Sequence, residues 1–350
     1  AAMPEASDTT LQPAPARPSR AVLRIPALTV LHHADRSRVG EVARLTELAG
    51  GREATLSRSS PPFAPPGGGA ARPLGDPYLS DKRPLKLRKA DGGALVLEGS
   101  SFTVQGEPVD GAVTVSASQL EAGVVLVLSG RATLLLHRLG PPQKPGEALG
   151  MVGGSERLCE LRADVLRVAD LEVPLLVRGE TGSGKELVAR AVHQHSPRSS
   201  SPFIAVNMAA IPASTAASEL FGHTAGAFTG AARAREGYFV EAHGGTLFLD
   251  EIAEVPAEVQ AMLLRALETR EVQALGSNRT QKVDVRLVAA TDADLEELIA
   301  TGRFREPLFH RVAGYQLQVP PLRERRDDVG RLLQRFLTEE MSAVGELSKL

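Results

Sequence analysis

Seven consecutive residues, Gly179, Glu180, Thr181, Gly182, Ser183, Gly184 and Lys185, fit the spacing Gly-x4-Gly-Lys. Backbone N–H groups of such a loop, with the N-terminus of the helix that follows, cradle a polyphosphate. Lys185 can reach the outer phosphates, and Glu186 stands where a Ser or Thr hydroxyl usually ligates magnesium. Further on, Gly244-Gly245-Thr246-Leu247-Phe248-Leu249-Asp250-Glu251 reads as an apolar strand that delivers two carboxylates to its C-terminal end, where open parallel sheets bind ligands. Asp250 suits Mg²⁺ held through water, and Glu251 suits a general base that polarises an attacking water. Alone, the first segment is a Gly-rich turn with an exposed Lys and the second a solvated helix start. Together, in this order, they imply ATP as ligand, Mg²⁺ as its ion, and hydrolysis as the reaction.

Two further groups of residues bear on that chemistry. Arg305 and Arg311 follow Phe304 and His310. An arginine near phosphate stabilises transition-state charge and can come from a neighbouring subunit, although each alone reads as a surface ion-pair residue. Gly226, Ala227, Phe228, Thr229, Gly230 and Ala231 lie between the two phosphate-site segments. Glycines 226 and 230 free the backbone, and Phe228 offers a contact area suited to a mobile loop tip; the plain alternative is a buried turn with one core Phe.

Elements must position these groups. From Met151 onward, VPLLVR (173–178), PFIAVN (202–207), TLFLD (246–250) and VRLVAA (285–290) read as buried strands, and residues 185–195 as a helix. Val259, Met262, Leu263, Ala266 and Leu267 recur at helical spacing after Pro256. Strands alternating with helices imply a parallel sheet covered on both faces, an α/β domain. A new helical pattern begins near Asp327 (Val329, Leu332, Leu333, Phe336, Leu337). Residues 21–139 instead carry short β-branched runs divided by turn residues: Ala94–Leu97, Phe102–Val104, Val113–Val115, Val124–Leu128 and Thr133–His137. These predict an all-β sandwich interrupted by a long loop at 60–75. Residues 1–20 read as a disordered tail, 140–150 as a Pro/Gly linker, 151–326 as the α/β domain and 327–350 as the start of a helical lid.

Composition narrows the class. The 350 residues carry a formal charge of −2, which gives no general attraction to nucleic acid or anionic lipid. One cysteine, Cys159, excludes an intramolecular disulfide framework and fits a reducing cytoplasm. No apolar run approaches the ~20 residues needed to span a bilayer, and no signal peptide is seen at the start.

Taken together, the motifs resemble the AAA+ P-loop domain of bacterial sigma-54-dependent transcription activators, from roughly Met151 to Leu350. GETGSGKE matches that family's phosphate loop, its Glu after Lys included, so Glu186 is a family trait. ELFGHTAGAFTGA (219–231) matches the segment whose loop touches sigma-54, GGTLFLDE the acidic strand, and FREPLFHRV (304–312) with PPLRER (321–326) the arginine-finger region. The resemblance implies ATP hydrolysis coupled to remodelling of the sigma-54 RNA polymerase closed complex. It implies that Asn207 holds Glu251 in a ligand-responsive pose, that Arg305 and Arg311 act in trans, and that subunits form a ring, expected to be a hexamer. Asp292, in VAATD, departs from the family's Asn, and a carboxylate there implies weakened or altered coupling of hydrolysis. The family's lid arginine and helix-turn-helix are not among these residues, so promoter or enhancer DNA would be contacted only through an element outside them.

Residues 21–139 resemble a forkhead-associated (FHA) domain, carried by RVGEVARL, GREATLSR and PLGDPYLSDKRPL. That likeness implies a phosphothreonine-binding loop site, with Arg58, Ser80, Lys82 and Arg83 as its residues, and a phosphoprotein as partner. An alternative for the whole chain is therefore a phosphothreonine-binding scaffold with a degenerate ATPase. A third is a general AAA+ remodeller, which the GAFTGA segment opposes.

Overall fold

A computed structural model of the chain describes residues 23–66, 68–141, 147–229 and 231–346. The tail expected at 1–20, Gly230 and residues 142–146 of the expected linker lie outside those residues. Eight antiparallel strands occupy the first part: β1 (Ile25–His32), β2 (Val42–Arg44), β3 (Ala54–Leu56), β4 (Leu85–Lys89), β5 (Leu95–Val104), β6 (Glu107–Val115), β7 (Val124–Leu128) and β8 (Ala132–Leu139). Their order is β2-β1-β8-β7-β5-β4-β3, with β6 also paired to β5.

The runs Ala94–Leu97 and Phe102–Val104 are one strand rather than two. A register shift between Gly99 and Phe102 bends β5, so its first half pairs with β4 and its second with β7. Such a bulge lets a single strand turn the corner of a sheet around its own core. Leu28, Phe63, Leu87, Leu97, Leu126 and Leu134 fill that core. The loop expected at 60–75 is anchored by fully buried Phe63, whose backbone bridges Arg72.

Contacts divide the chain into two compact units, one of residues 163–319 and one of 19–162 with 320–350. The helix expected to begin a separate lid thus falls in the β unit. It runs Val329–Ala343. Arg326 donates to the Ala122 and Gly123 carbonyls at 2.7 and 2.9 Å. The Asp328 carboxylate accepts from the Gly154 and Ser155 amides and the Ser155 hydroxyl. Gly330 lies so close to β1 that a Cβ would sit 2.3 Å from the Leu31 carbonyl oxygen.

In the other unit run β9 (Leu175–Arg178), β10 (Phe203–Asn207), β11 (Gly222–His223), β12 (Arg235–Glu236), β13 (Thr246–Asp250), β14 (Glu271–Gln273), β15 (Thr280–Lys282), β16 (Arg286–Thr291) and β17 (Tyr315–Gln318). Five of them form the parallel sheet β10-β13-β16-β9-β17, as the strand–helix alternation predicts. The β16 side chains are all buried, as are those of β13 up to Asp250. The predicted amphipathic helix runs Ala257–Thr269 and buries Val259, Leu263 and Ala266. Because β16 lies between β13 and β9, whatever follows its C-terminal end stands between the acidic strand end and the phosphate loop.

Gly330 poses a contest of magnitudes. Helix propensity alone would make Gly330→Ala stabilising by about 1 kcal/mol. The collision with the Leu31 backbone opposes it, and overpacking a tight contact costs about 1–3 kcal/mol. We expect a lowered melting temperature for Gly330→Ala in a thermal scan; a raised one would mean that this helix is not seated on β1.

Candidate functional site

The phosphate loop leaves β9 and enters the helix Lys185–Gln194. Gly184 caps that helix in a left-handed conformation, φ 103°, which a residue with a Cβ rarely adopts. At Gly179 a Cβ would lie 2.9 Å from both the Ser183 hydroxyl oxygen and the Val319 Cβ. Lys185 is buried. Its Nζ donates to the Gly179 carbonyl at 3.0 Å and pairs with Glu251 Oε1 at 3.2 Å. Glu186 points along its own helix to Arg190, at 2.7 Å.

Asp250 ends β13 beside Asn207, its register partner on β10. Glu251 follows in a left-handed conformation, φ 53°, unusual for a residue with a side chain and a form of strain found at functional sites. Its Oε2 faces the Asp292 amide at 3.4 Å. Burial pushes the Glu251 carboxyl above its ordinary 4.5, against the opposing pull of Lys185. Asp292 accepts a hydrogen bond from the Thr181 hydroxyl in the phosphate loop, and that bond holds its carboxyl below the ordinary 3.8. Thus Lys185, Glu251, Asp292 and Thr181 form one connected chain of contacts. The Asn207 side chain accepts from the Ala209 amide at 2.9 Å, capping a short turn, while Glu251 is engaged with Lys185.

Magnesium fits this donor set. No cluster of three or more His, Cys, Asp or Glu that could hold a metal occurs among the described residues. Mg²⁺ is usually held by one or two carboxylates together with substrate phosphates and water, and Asp250 supplies one such carboxylate.

Arg305 and Arg311 are both exposed; Arg305 caps the N-terminus of the helix Glu306–Val312 and Arg311 lies in its last turn. The Arg305 amide donates to Gln260 Oε1 at 2.9 Å, and Arg311 donates to the Leu267 carbonyl at 3.0 Å. Gln260 was missed in the sequence, where it reads as one polar residue on an amphipathic helix. It is 1% exposed, and its Nε2 donates to the Val255 and Arg303 carbonyls, both at 3.0 Å. It therefore fixes the arginine segment to the helix Ala257–Thr269.

Phe228 is 45% exposed, its ring against His223 with centroids 5.1 Å apart. Burial in the interior, the plain alternative, is ruled out. Gly226 has φ 78°, and its amide donates to the Ala231 carbonyl at 2.8 Å. Ala227 and Thr229 flank Phe228, whereas Ala231 is buried at the loop base. That base is stitched twice: β11 pairs β12, and Leu275 exchanges backbone bonds with Gly222 and Thr224. The second stitch, from the β14–β15 connection, has no signature in the sequence. From Asn207 the chain reaches the loop through the helix Ala213–Phe221, whose Ala216, Leu220 and Phe221 are buried.

In the β unit, Ser80, Lys82 and Arg83 line a cavity of about 410 Å³. Arg58 turns away to the Pro77 carbonyl at 2.8 Å. The Ser80 hydroxyl accepts from the Lys82 and Arg83 amides. Asp81, which sequence reasoning passed over, accepts from the Ser59 amide and hydroxyl at 3.0 and 2.6 Å. No helix among the described residues is long and apolar enough to cross a membrane.

Gln260→Ala should cost about 2–4 kcal/mol, since it leaves buried backbone groups without partners and opens a cavity. Denaturant titration measures this, and a change under 0.5 kcal/mol would deny Gln260 its fixing role.

Residues 151–318 match the model of the Sigma-54 interaction domain family. The regulatory protein LuxO of Vibrio cholerae is 47% identical over 212 residues, 61% of this chain and 40% of that protein. The Nif-specific regulatory protein of Azorhizobium caulinodans is 52% identical over 192 residues, 55% of this chain and 31% of that one. The crystal structure of NtrX from Brucella abortus in complex with ATP superposes with a TM-score of 0.52 at 39% identity, over 56% of this chain and 42% of that one. The chain spans less than half the length of these relatives. Residues 151–318 are thus similar to sigma-54 interaction domains, and their fold is that of an AAA+ P-loop NTPase.

Proposed function

We propose that this chain is the ATP-hydrolysing part of a cytoplasmic activator that remodels sigma-54 RNA polymerase closed complexes to start transcription. One observation carries the reading: an exposed Phe228, on a glycine-hinged loop, connects through a single packed helix to Asn207, the register neighbour of Asp250.

ATP enters with its phosphates against the loop amides, and Lys185 exchanges Glu251 for phosphate oxygens. Glu251, released, orients and polarises the attacking water, its raised pKa making it a better base than an ordinary carboxylate. Asp250 would hold Mg²⁺, which would supply neutralisation of phosphate charge. Arg305 and Arg311 complete the site of a neighbouring copy in a hexameric ring. Asn207 passes the change in Glu251 to the helix Ala213–Phe221 and so to Phe228 and Thr229 in the segment that the sequence closes with Gly230 and Ala231. Promoter or enhancer DNA is bound by an element outside these residues. The β unit is an FHA-like docking domain, and the cavity shared by Ser80, Lys82 and Arg83 is where a phosphothreonine protein would dock, with Arg58 turning back toward it.

Steady-state ATPase assays test the core of this. Lys185→Ala should abolish nucleotide binding, and unchanged ATP affinity would refute the phosphate loop. Turnover should fall as pH drops through a pKa above 4.5, because protonated Glu251 cannot act as base. Glu251→Gln should lose turnover by at least about 10²-fold and with it this acid limb; a surviving limb would assign the base elsewhere. Thr229→Ala should keep ATP binding and lose promoter opening, and open complexes formed at the normal level would refute the loop assignment.

A further inference from the structure

Asp292 is the one carboxylate of that chain of contacts that the proposed hydrolysis does not use. It begins just past β16, the strand between the acidic end of β13 and the phosphate loop after β9. Its carboxylate is exposed and tied to the Thr181 hydroxyl, and its amide faces Glu251, which pairs with Lys185. Glu251, the proposed base, must face the third phosphate, so the Asp292 carboxylate next to it is a negative charge on that side of the site.

We propose that Asp292 sets the choice between nucleoside diphosphate and triphosphate in this site, disfavouring the triphosphate. This rests on the nucleotide reading above and deepens it. The Thr181 bond keeps the carboxylate from swinging into solvent when the third phosphate arrives, so the repulsion is not relaxed. A unit charge a few ångströms from an added phosphate, partly screened by water, changes affinity by about tenfold or more. The site then retains ADP after hydrolysis and fills with ATP only at a high ATP-to-ADP ratio or when assembly brings Arg305 or Arg311 from a neighbour to offset the charge.

Calorimetric titration of ADP and of a non-hydrolysable ATP analogue, each with Mg²⁺, tests this on wild type, Asp292→Asn and Thr181→Val. Asparagine keeps the shape and can still accept from Thr181. The analogue-to-ADP affinity ratio should rise about tenfold or more in Asp292→Asn, with ADP affinity changed less than about twofold, and the gain should shrink as salt is raised. Thr181→Val, which keeps the charge but frees the carboxylate to turn toward solvent, should raise the ratio by less than Asp292→Asn does. A ratio changed less than about twofold in Asp292→Asn would overturn the proposal, and so would a fall in analogue affinity, which would make Asp292 a holder of the magnesium ion instead. Failure of all three proteins to bind either nucleotide would overturn the nucleotide reading itself.

Discussion

The contact between Lys185 and Glu251 is the constraint on which the site turns. A buried ammonium without a partner is among the costliest arrangements a protein can hold. Here the partners are the Gly179 carbonyl and one carboxylate, at 3.0 and 3.2 Å. In the proposed mechanism incoming phosphate oxygens replace Glu251 at Lys185, so ligand entry and release of the base would be one exchange. The left-handed backbone at Glu251 fits such a switch, because a residue already held away from its easiest conformation needs less energy to change pose.

Transmission from that exchange follows from stiffness. Asn207 lies beside Asp250 in register, and the next rigid element, Ala213–Phe221, is packed along one face and ends at the loop. Phe221 stacks on Phe239 with ring centroids 5.5 Å apart, and Ser218 shares a hydrogen bond with His223, whose ring supports Phe228. A packed helix with few voids moves as a unit. The double stitching at Gly222 and Thr224 then confines the motion to the segment between two fixed points.

Much of this was legible in the sequence because local chemistry forces it. Glycines at 179, 182 and 184 are dictated by close approach or positive φ, and the apolar run before Asp250 can only be a buried strand. The β unit was legible as runs of strand but not as topology: nothing in GSS (99–101) says that β5 bends there instead of ending. Gln260, Leu275 and Asp81 were invisible because each acts through backbone groups distant in sequence, and their residue types are ordinary. The seat of the helix after residue 327 was invisible for a related reason. A helix pattern predicts the helix Val329–Ala343, whereas its seat on β1 is set by the missing side chain of Gly330 and by Arg326 reaching two carbonyls near residue 122.

Hydrogen–deuterium exchange across residues 222–236 tests the coupling of site to loop most directly. Nucleotide-free protein would be compared with protein bound to ADP and a γ-phosphate mimic, with Lys185→Ala as control. If exchange of Lys185's partner moves the loop, protection in that segment changes on binding, and the Lys185→Ala protein shows no change. A mimic that binds tightly while exchange at 222–236 stays the same would contradict it.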